Sequence, residues 1–376
     1  MSRESQPVVL LSGIRWDFLW QRHQILATKL AERGHPTVFV ETTGFSNPRL
    51  APGLASKLLS RLRHSVASSE SPTAVPENLR VYSPLAAPPT VRAFRILNRR
   101  VFATRIVRDL RGLAGDNPAV ISYPPTRTTL DILRELSPSR LLYDCSDNYE
   151  GFPGVPSDIA HTERELLAMA DAVSCTSEFL LEKVRPARPD AYLSGPGVDF
   201  EAFGALAEGP VSKVRTVCFF GHIGERLDLD ALRAIARAGY TLRLIGETDA
   251  AGERLLREPG VDYRGAVAHE ELPGELAGVD AFVLPYRMNA LTRGINPAKI
   301  YECLATGKPV VASPLPALAG MGEYVYLAES AAEFVSRLGE LPGRESPHKV
   351  AARVQLAREN GWERRVDEVE RVLWGE

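Results

Sequence analysis

Short apolar runs alternate with amphipathic, helix-spaced stretches along almost the whole of this chain, and that rhythm leaves few folds open to it. PVVLLSGI (7–14) leads into WDFLWQRHQILATKLAERG, and PTVFVET (36–42) follows a Gly34-His35-Pro36 stop. Further apolar runs stand at 79–84, 119–125, 140–147 and 172–177, and a second series at 215–224, 240–247, 261–267, 279–287 and 309–313. Strand–helix–strand alternation of this kind feeds a parallel sheet covered on both faces by helices. A chain of 376 residues exceeds what one core ordinarily fills. SGPGVDFEAFGALAEGP, rich in glycine and small residues, reads as the break between the two series. The expected architecture is α/β: two Rossmann-like, doubly wound domains, 1–195 and 211–355, with a linker at 196–210 and amphipathic helix in the tail, 356–376. Open α/β sheets bind ligands at the C-terminal ends of their strands, so two such domains leave a cleft there, and the loops after the strands are where chemistry is sought.

Composition narrows the function classes. With 44% hydrophobic and 24% charged residues the chain is a soluble globular protein. Its net charge of -2 gives no case for nucleic acid as a partner. Cys145, Cys175, Cys218 and Cys303 are far apart, without zinc-ligand spacing, and read as buried free thiols in a reducing compartment. No apolar run approaches the roughly 20 residues of a membrane span, and the first run is too short for a signal sequence. The expected location is cytoplasmic.

Two segments carry candidate chemistry. In INPAKIYECLATGKPVVAS, Asn296 and Pro297 read as N-cap and first helical residue, and Gly307 as the stop. Lys299 then falls in the first turn, where the helix dipole disfavours a cation, on one face with Glu302. Either the pair is a surface i,i+3 ion pair, or Lys299 holds a diphosphate and Glu302 accepts two ribose hydroxyls. In CFFGHIGERLDLDAL, Gly221 and Gly224 open a loop after a strand, a shape that lets backbone amides and Arg226 approach a phosphate. The spacing is not GxGxxG, which counts against a dinucleotide fold. Asp228-Leu229-Asp230 spells DxD, a pattern used elsewhere for metal-bound nucleotide sugars, but at a helix start it reads better as a cap, and no metal site is assigned.

VDYRGAVAHEELPGELAGVDAFVLPYRMNALTRGINPAKIYECLATGKPVVAS resembles the donor-binding half of GT-B glycosyltransferases, more narrowly the family-4-type enzymes of teichuronic acid and capsular polysaccharide biosynthesis. SGIRWDFLWQRHQILATKLAERGH, LLYDCSDNYEGF and ENGWERRVDEVERVL are similar to the same group. The resemblance implies a nucleoside diphosphate sugar held by the C-terminal domain as donor substrate, with no further cofactor. Lys299 would contact its diphosphate, Glu302 its ribose, and the backbone from Gly265 to Val267 its base. Gly221, His222, Gly224 and Arg226 would complete the phosphate site, with Gly246, Arg293 and Asn296 beside them; the last helix would cross back to the N-terminal domain. Gly294 stands where retaining members carry a carboxylate, His222 where they carry a phosphate-binding arginine, and Ser146 where they carry a histidine. The xanthan glucuronosyltransferase type has an aspartate in a stretch like YDCSDNYEGF, which makes Asp147 the candidate general base of an inverting transfer; the other reading of Asp147 is a turn cap.

The acceptor, a hydroxyl of a glycan, lipid-linked saccharide or natural product, is expected near Gly13, Trp16, Asp17, Arg22 and His23. The tryptophans read equally as a sugar platform or as core. The basic stretches 91–112 and 56–64 are either solvated faces or a contact with the inner face of a membrane. The expected function is thus metal-independent glycosyl transfer from a nucleotide sugar. Its rivals are an epimerase or hydrolase on the same fold, or a non-catalytic donor-binding partner of another transferase.

Overall fold

The computed structural model describes residues 6–17, 20–41, 75–84, 98–152 and 154–375. It divides into two compact units, Met1–Thr176 with Leu180–Ser194 and Arg365–Glu376, and Ser177–Phe179 with Gly195–Arg364.

The strands of the first unit are β1 (Val8–Leu11), β2 (Thr37–Val40), β3 (Leu79–Tyr82), β4 (Ala119–Ser122), β5 (Arg140–Cys145), β6 (Ala172–Cys175) and β7 (Tyr192–Leu193). They form one parallel sheet in the order β3-β2-β1-β4-β5-β6-β7. Every residue of β1, β2 and β4 is buried, as in a sheet covered on both faces. The helices named here are α1 (Arg22–Glu32), α2 (Ala103–Ala114), α3 (Arg127–Leu136), α4 (Ile159–Met169) and α5 (Glu178–Val184). The apolar stripe of α2, Ile106, Val107 and Leu110, is buried, and the helix packs on β1 and β2.

The second unit repeats the design with β8 (Thr216–Phe220), β9 (Thr241–Ile245), β10 (Val261–Gly265), β11 (Ala281–Leu284), β12 (Val310–Ala312) and β13 (Val325–Leu327), all parallel, in the order β10-β9-β8-β11-β12-β13. Its helices are α6 (Phe200–Gly204), α7 (Leu229–Arg237), α8 (Ala250–Leu255), α9 (Leu272–Glu275), α10 (Ile300–Ala305), α11 (Ala331–Arg344) and α12 (Pro347–Glu359). A last helix, α13 (Trp362–Trp374), has its residues from Arg365 onward in the first unit. There Glu370 accepts from Arg33 Nη1 at 2.7 Å and meets His35 Nε2 at 3.2 Å, while Trp374 stacks on His35 with ring centroids 4.1 Å apart.

Two readings of the sequence change here. Residues 196–210 are not a free linker: α6, capped by the Asp199 side chain, sends a fully buried Phe203 into the core of the second unit. Small residues at the ends of that stretch hid one anchoring aromatic. Asn296 and Pro297 do not start a helix. Pro297 O accepts from Ile300 N in a preceding turn, and Lys299 is the N-cap of a six-residue α10. Of the basic stretch 91–112, Arg92 and Arg95 lie outside the described residues, as does all of 56–64. In the described part of 91–112, Ile106, Val107 and Leu110 are buried in the core, while Arg105 and Arg108 are exposed, 3.9 and 3.6 Å from Asp109. No helix among the described residues is long and apolar enough to cross a membrane.

Candidate active site

In the second sheet the chain order reverses between β8 and β11, and a ligand crevice is expected at the C-terminal ends of strands flanking such a point. Three glycines with positive φ end the neighbouring strands: Gly221 at +113°, Gly246 at +135° and Gly265 at +76°. Their backbones lie on one another. Gly221 N donates to Ile245 O at 2.8 Å and Gly246 N to Gly265 O at 2.7 Å, and a Cβ at Gly246 would collide with Gly221 O. Tyr263 OH closes the group by donating to Gly246 O at 3.0 Å.

Lys299 reaches this edge from α10. Its Nζ lies 4.4 Å from the ring centroid of Phe219 and 5.5 Å from that of Phe220, and it occupies the space a Cβ on Gly221 would need. The ammonium makes no ion pair or hydrogen bond among the described residues. The surface i,i+3 pair with Glu302 is therefore absent. Glu302 Oε1 instead accepts from His269 Nε2 at 3.0 Å, with the carboxylate side chain 12% exposed. Burial works against a charge on His269, but the Glu302 hydrogen bond and charge, with Glu270 and Asp199 behind them, outweigh it and raise its pKa. His269 was not singled out in the sequence; a histidine three residues past Gly265-Ala266 in a loop has no local pattern to mark it.

The loop 221–228 is less open than its glycines suggest. The amides of Ile223, Leu227 and Asp228 donate to backbone carbonyls, and that of Glu225 to Asp249 Oδ2 at 3.0 Å. Those of His222 and Gly224 make no hydrogen bond among the described residues. His222 is exposed, its Nε2 3.7 Å from Asp249 Oδ2, and Arg226 is exposed. Asp228 Oδ1 caps α7 by accepting from Asp230 N and Ala231 N, both at 3.1 Å, and Asp230 pairs with Arg233 at 2.6 Å, so the DxD acts as a cap. Val267 and Asn296 are half-buried and Arg293 is exposed. Gly294 is buried, its carbonyl accepting from Ser177 Oγ at 2.9 Å. A cavity of about 720 Å³ opens further along the same edge, lined by Asp228, Tyr286, Arg287, Asn289 and Ser313 among others; Lys299 and Glu302 do not line it.

In the first unit Asp147 is half-buried in the turn after β5, ahead of a short 3-10 helix, Tyr149–Gly151. Its carbonyl accepts from Tyr149 N at 3.0 Å, and the adjacent Asn148 Oδ1 accepts from Lys183 Nζ at 3.2 Å. The acceptor set is rearranged by packing. Arg22 is buried, its Nε donating to Asp144 Oδ2 at 2.6 Å and its Nη2 to Ser194 Oγ at 3.0 Å. His23 is buried against Tyr123, ring centroids 3.6 Å apart, with Nδ1 2.7 Å from Ser12 Oγ. Burial, then the Arg22 charge, push its pKa down to about 3, so it is neutral. Trp16 is a core residue, 1% exposed and packed edge-on to Phe39 and Trp20. Arg22, His23 and Trp16 are thus turned inward. Asp17 is exposed and paired with Arg15, and Gly13 is half-buried against Pro124.

Fold and edge geometry meet known proteins here. Residues 215–342 match the family Glycosyl transferases group 1. The fold is the two-domain, Rossmann-like fold of the GT-B glycosyltransferases, and residues 215–342 of the second unit are similar to group 1 glycosyl transferase domains. Among particular proteins, the chain is similar to TuaH of Bacillus subtilis, a glycosyltransferase by name, assigned to teichuronic acid biosynthesis. The two are 27% identical over 213 residues, 50% of this chain and 54% of that one, so the chain spans about half the length of this relative. Two solved structures superpose over nearly everything. Sucrose-phosphate synthase of Thermosynechococcus elongatus has a TM-score of 0.67 at 17% identity, covering 98% of each chain. Anabaena HepE, crystallised with UDP-glucose, has a TM-score of 0.66 at 14% identity, covering 99% of this chain and 100% of that one.

Proposed function

We propose that this protein moves a sugar from a nucleoside diphosphate sugar to a hydroxyl acceptor of polysaccharide-type chemistry, without a metal ion. The observation that carries the reading is Lys299. A lysine that makes no ion pair among the described residues, packed over two phenylalanine rings and against a glycine at the sheet's switch point, is a charge set out for an anionic ligand. It would hold the diphosphate and stabilise it as leaving group, a role that electrostatics alone can fill. Glu302, one turn on, would accept from the ribose hydroxyls, and the backbone at Gly265–Val267 would face the base. Arg226 and His222 would add to the phosphate site from the loop, with the amides of His222 and Gly224. HepE, of the same fold, holds UDP-glucose.

On the acceptor side, Asp147 would take the proton of the attacking hydroxyl. Gly294 supports an inverting course: the position where retaining relatives keep a carboxylate has no side chain, and its backbone is fastened to Ser177. The same glycine favours, as a second reading, a donor-binding partner without activity of its own.

A thermal-shift panel of UDP, GDP, dTDP, ADP and CMP on the wild type and on Lys299→Ala tests this. One diphosphate is expected to stabilise the wild type, by about 2.7 kcal/mol at a hundredfold excess over Kd, and to lose that effect in the variant. Asp147→Asn is expected to keep the shift and lose transfer. No stabilisation by any diphosphate at saturating concentrations would remove the donor site; a shift with transfer unaffected by Asp147→Asn would remove the base.

A further inference from the structure

The carboxylate assigned to the ribose is not left to itself. Glu302 sits on the six-residue α10, where a free glutamate would sample several rotamers. Its Oε1 is taken by His269 Nε2 at 3.0 Å, and a carboxylate only accepts, so Nε2 carries the proton. Its Oε2 makes no hydrogen bond among the described residues. The imidazole is in turn seated: its ring packs at 5.8 Å from that of Phe203, the buried anchor of α6, and only 24% of the side chain is exposed. The charged groups that face it are Glu302 on α10, Glu270 beside it in the loop, and Asp199 at the cap of α6. A histidine hydrogen-bonded to Glu302, packed near an aromatic ring and in the field of two further carboxylates fixes one oxygen of Glu302 and leaves the other for a ligand.

Resting on the donor reading above, we propose that His269 is the positioning residue of the site: by holding Glu302 Oε1 it aims Oε2 at the ribose hydroxyls and so sets the selectivity for ribonucleotides. Burial opposes the charge, but the surrounding carboxylates outweigh it and raise the histidine's pKa above its ordinary value, so the imidazolium form persists to higher pH than in a free side chain. Selectivity then weakens as pH rises through that titration, because the ion pair becomes a weaker neutral-donor hydrogen bond.

The test measures binding of UDP and 2′,3′-dideoxy-UDP, with GDP and dideoxy-GDP in parallel, by calorimetry across the pH range of histidine. The wild type is expected to prefer the ribonucleotide. His269→Ala should weaken ribonucleotide binding about tenfold, the scale of a hydrogen bond to a charged group, while leaving the dideoxy compound's affinity in place. His269→Gln, which donates but does not titrate, should restore part of the preference and flatten its pH dependence. Circular dichroism melts establish that both variants fold. If the wild type prefers the ribonucleotide and both variants keep the full preference and pH profile, His269 has no positioning role while the donor site stands. If the wild type shows no preference and Glu302→Ala changes nothing, the assignment of Glu302 falls and this inference with it.

Discussion

At the scale of single residues, His23 shows how burial redirects a side chain. In a solvent-facing loop it would titrate near 6.5; stacked on Tyr123 and beside Arg22 it holds at about 3. Its folded pKa is depressed, so between those values the unfolded chain binds a proton that the folded chain refuses. The contribution is complete above about 6.5 and is lost as pH falls toward 3, by about 1.4 kcal/mol per pH unit at the steepest. Urea unfolding across that window should show wild type losing stability faster than His23→Gln as pH falls. Parallel slopes would place the acid sensitivity elsewhere. Arg22 follows the same logic to the opposite outcome: burial opposes its ionisation, and Asp144 more than offsets that.

At the scale of elements, the edge formed by β8, β9 and β10 works because their terminal glycines let backbones touch. Gly246 has φ of +135° and no room for a Cβ against Gly221 O. Gly246→Ala is expected to cost about 2 kcal/mol or more, since strained conformation and steric overlap add. It should also push Gly221 against Lys299 and weaken diphosphate binding beyond the stability loss. Chemical denaturation and nucleotide titration on the same variant separate the two effects; unchanged binding would mean that the edge tolerates displacement. Elsewhere α12 is fastened through Arg353, which is fully buried and pairs with Glu345 at 2.6 Å while donating to Gly307 O and Tyr324 O. The glycine that stops α10 thereby has its carbonyl satisfied by a helix some forty residues on.

At the scale of the whole molecule, the chain's last stretch belongs to its first unit. Val366, Val369 and Leu373 are at most 2% exposed, and Glu370 holds Arg33 and His35. Burying three such aliphatic side chains contributes about 5 kcal/mol, comparable to the net stability of a domain. Deleting 365–376 is expected to abolish hydrogen-exchange protection in β1, β2 and β4 while leaving β8, β9 and β11 protected. Equal protection in full-length and truncated chains would show that this helix is dispensable to the first sheet.

The sequence by itself determined the architecture. Apolar runs separated by helical periodicity can be satisfied only by covered parallel sheets, and the strands it predicts are those found, because buried central strands must be continuously apolar. β7 and β13 escaped it: at two and three residues they are strands only because a neighbour pairs with them. Lys299 and Glu302 were legible as candidates because helical spacing would put them on one face. Which partners they have was not, since His269 lies 33 residues from Glu302 and local pattern carries no information across that distance. Arg22, His23 and Trp16 had the chemistry of a binding loop, and tertiary packing made them core. Polarity and aromaticity are properties of a residue; exposure is a property of everything folded around it.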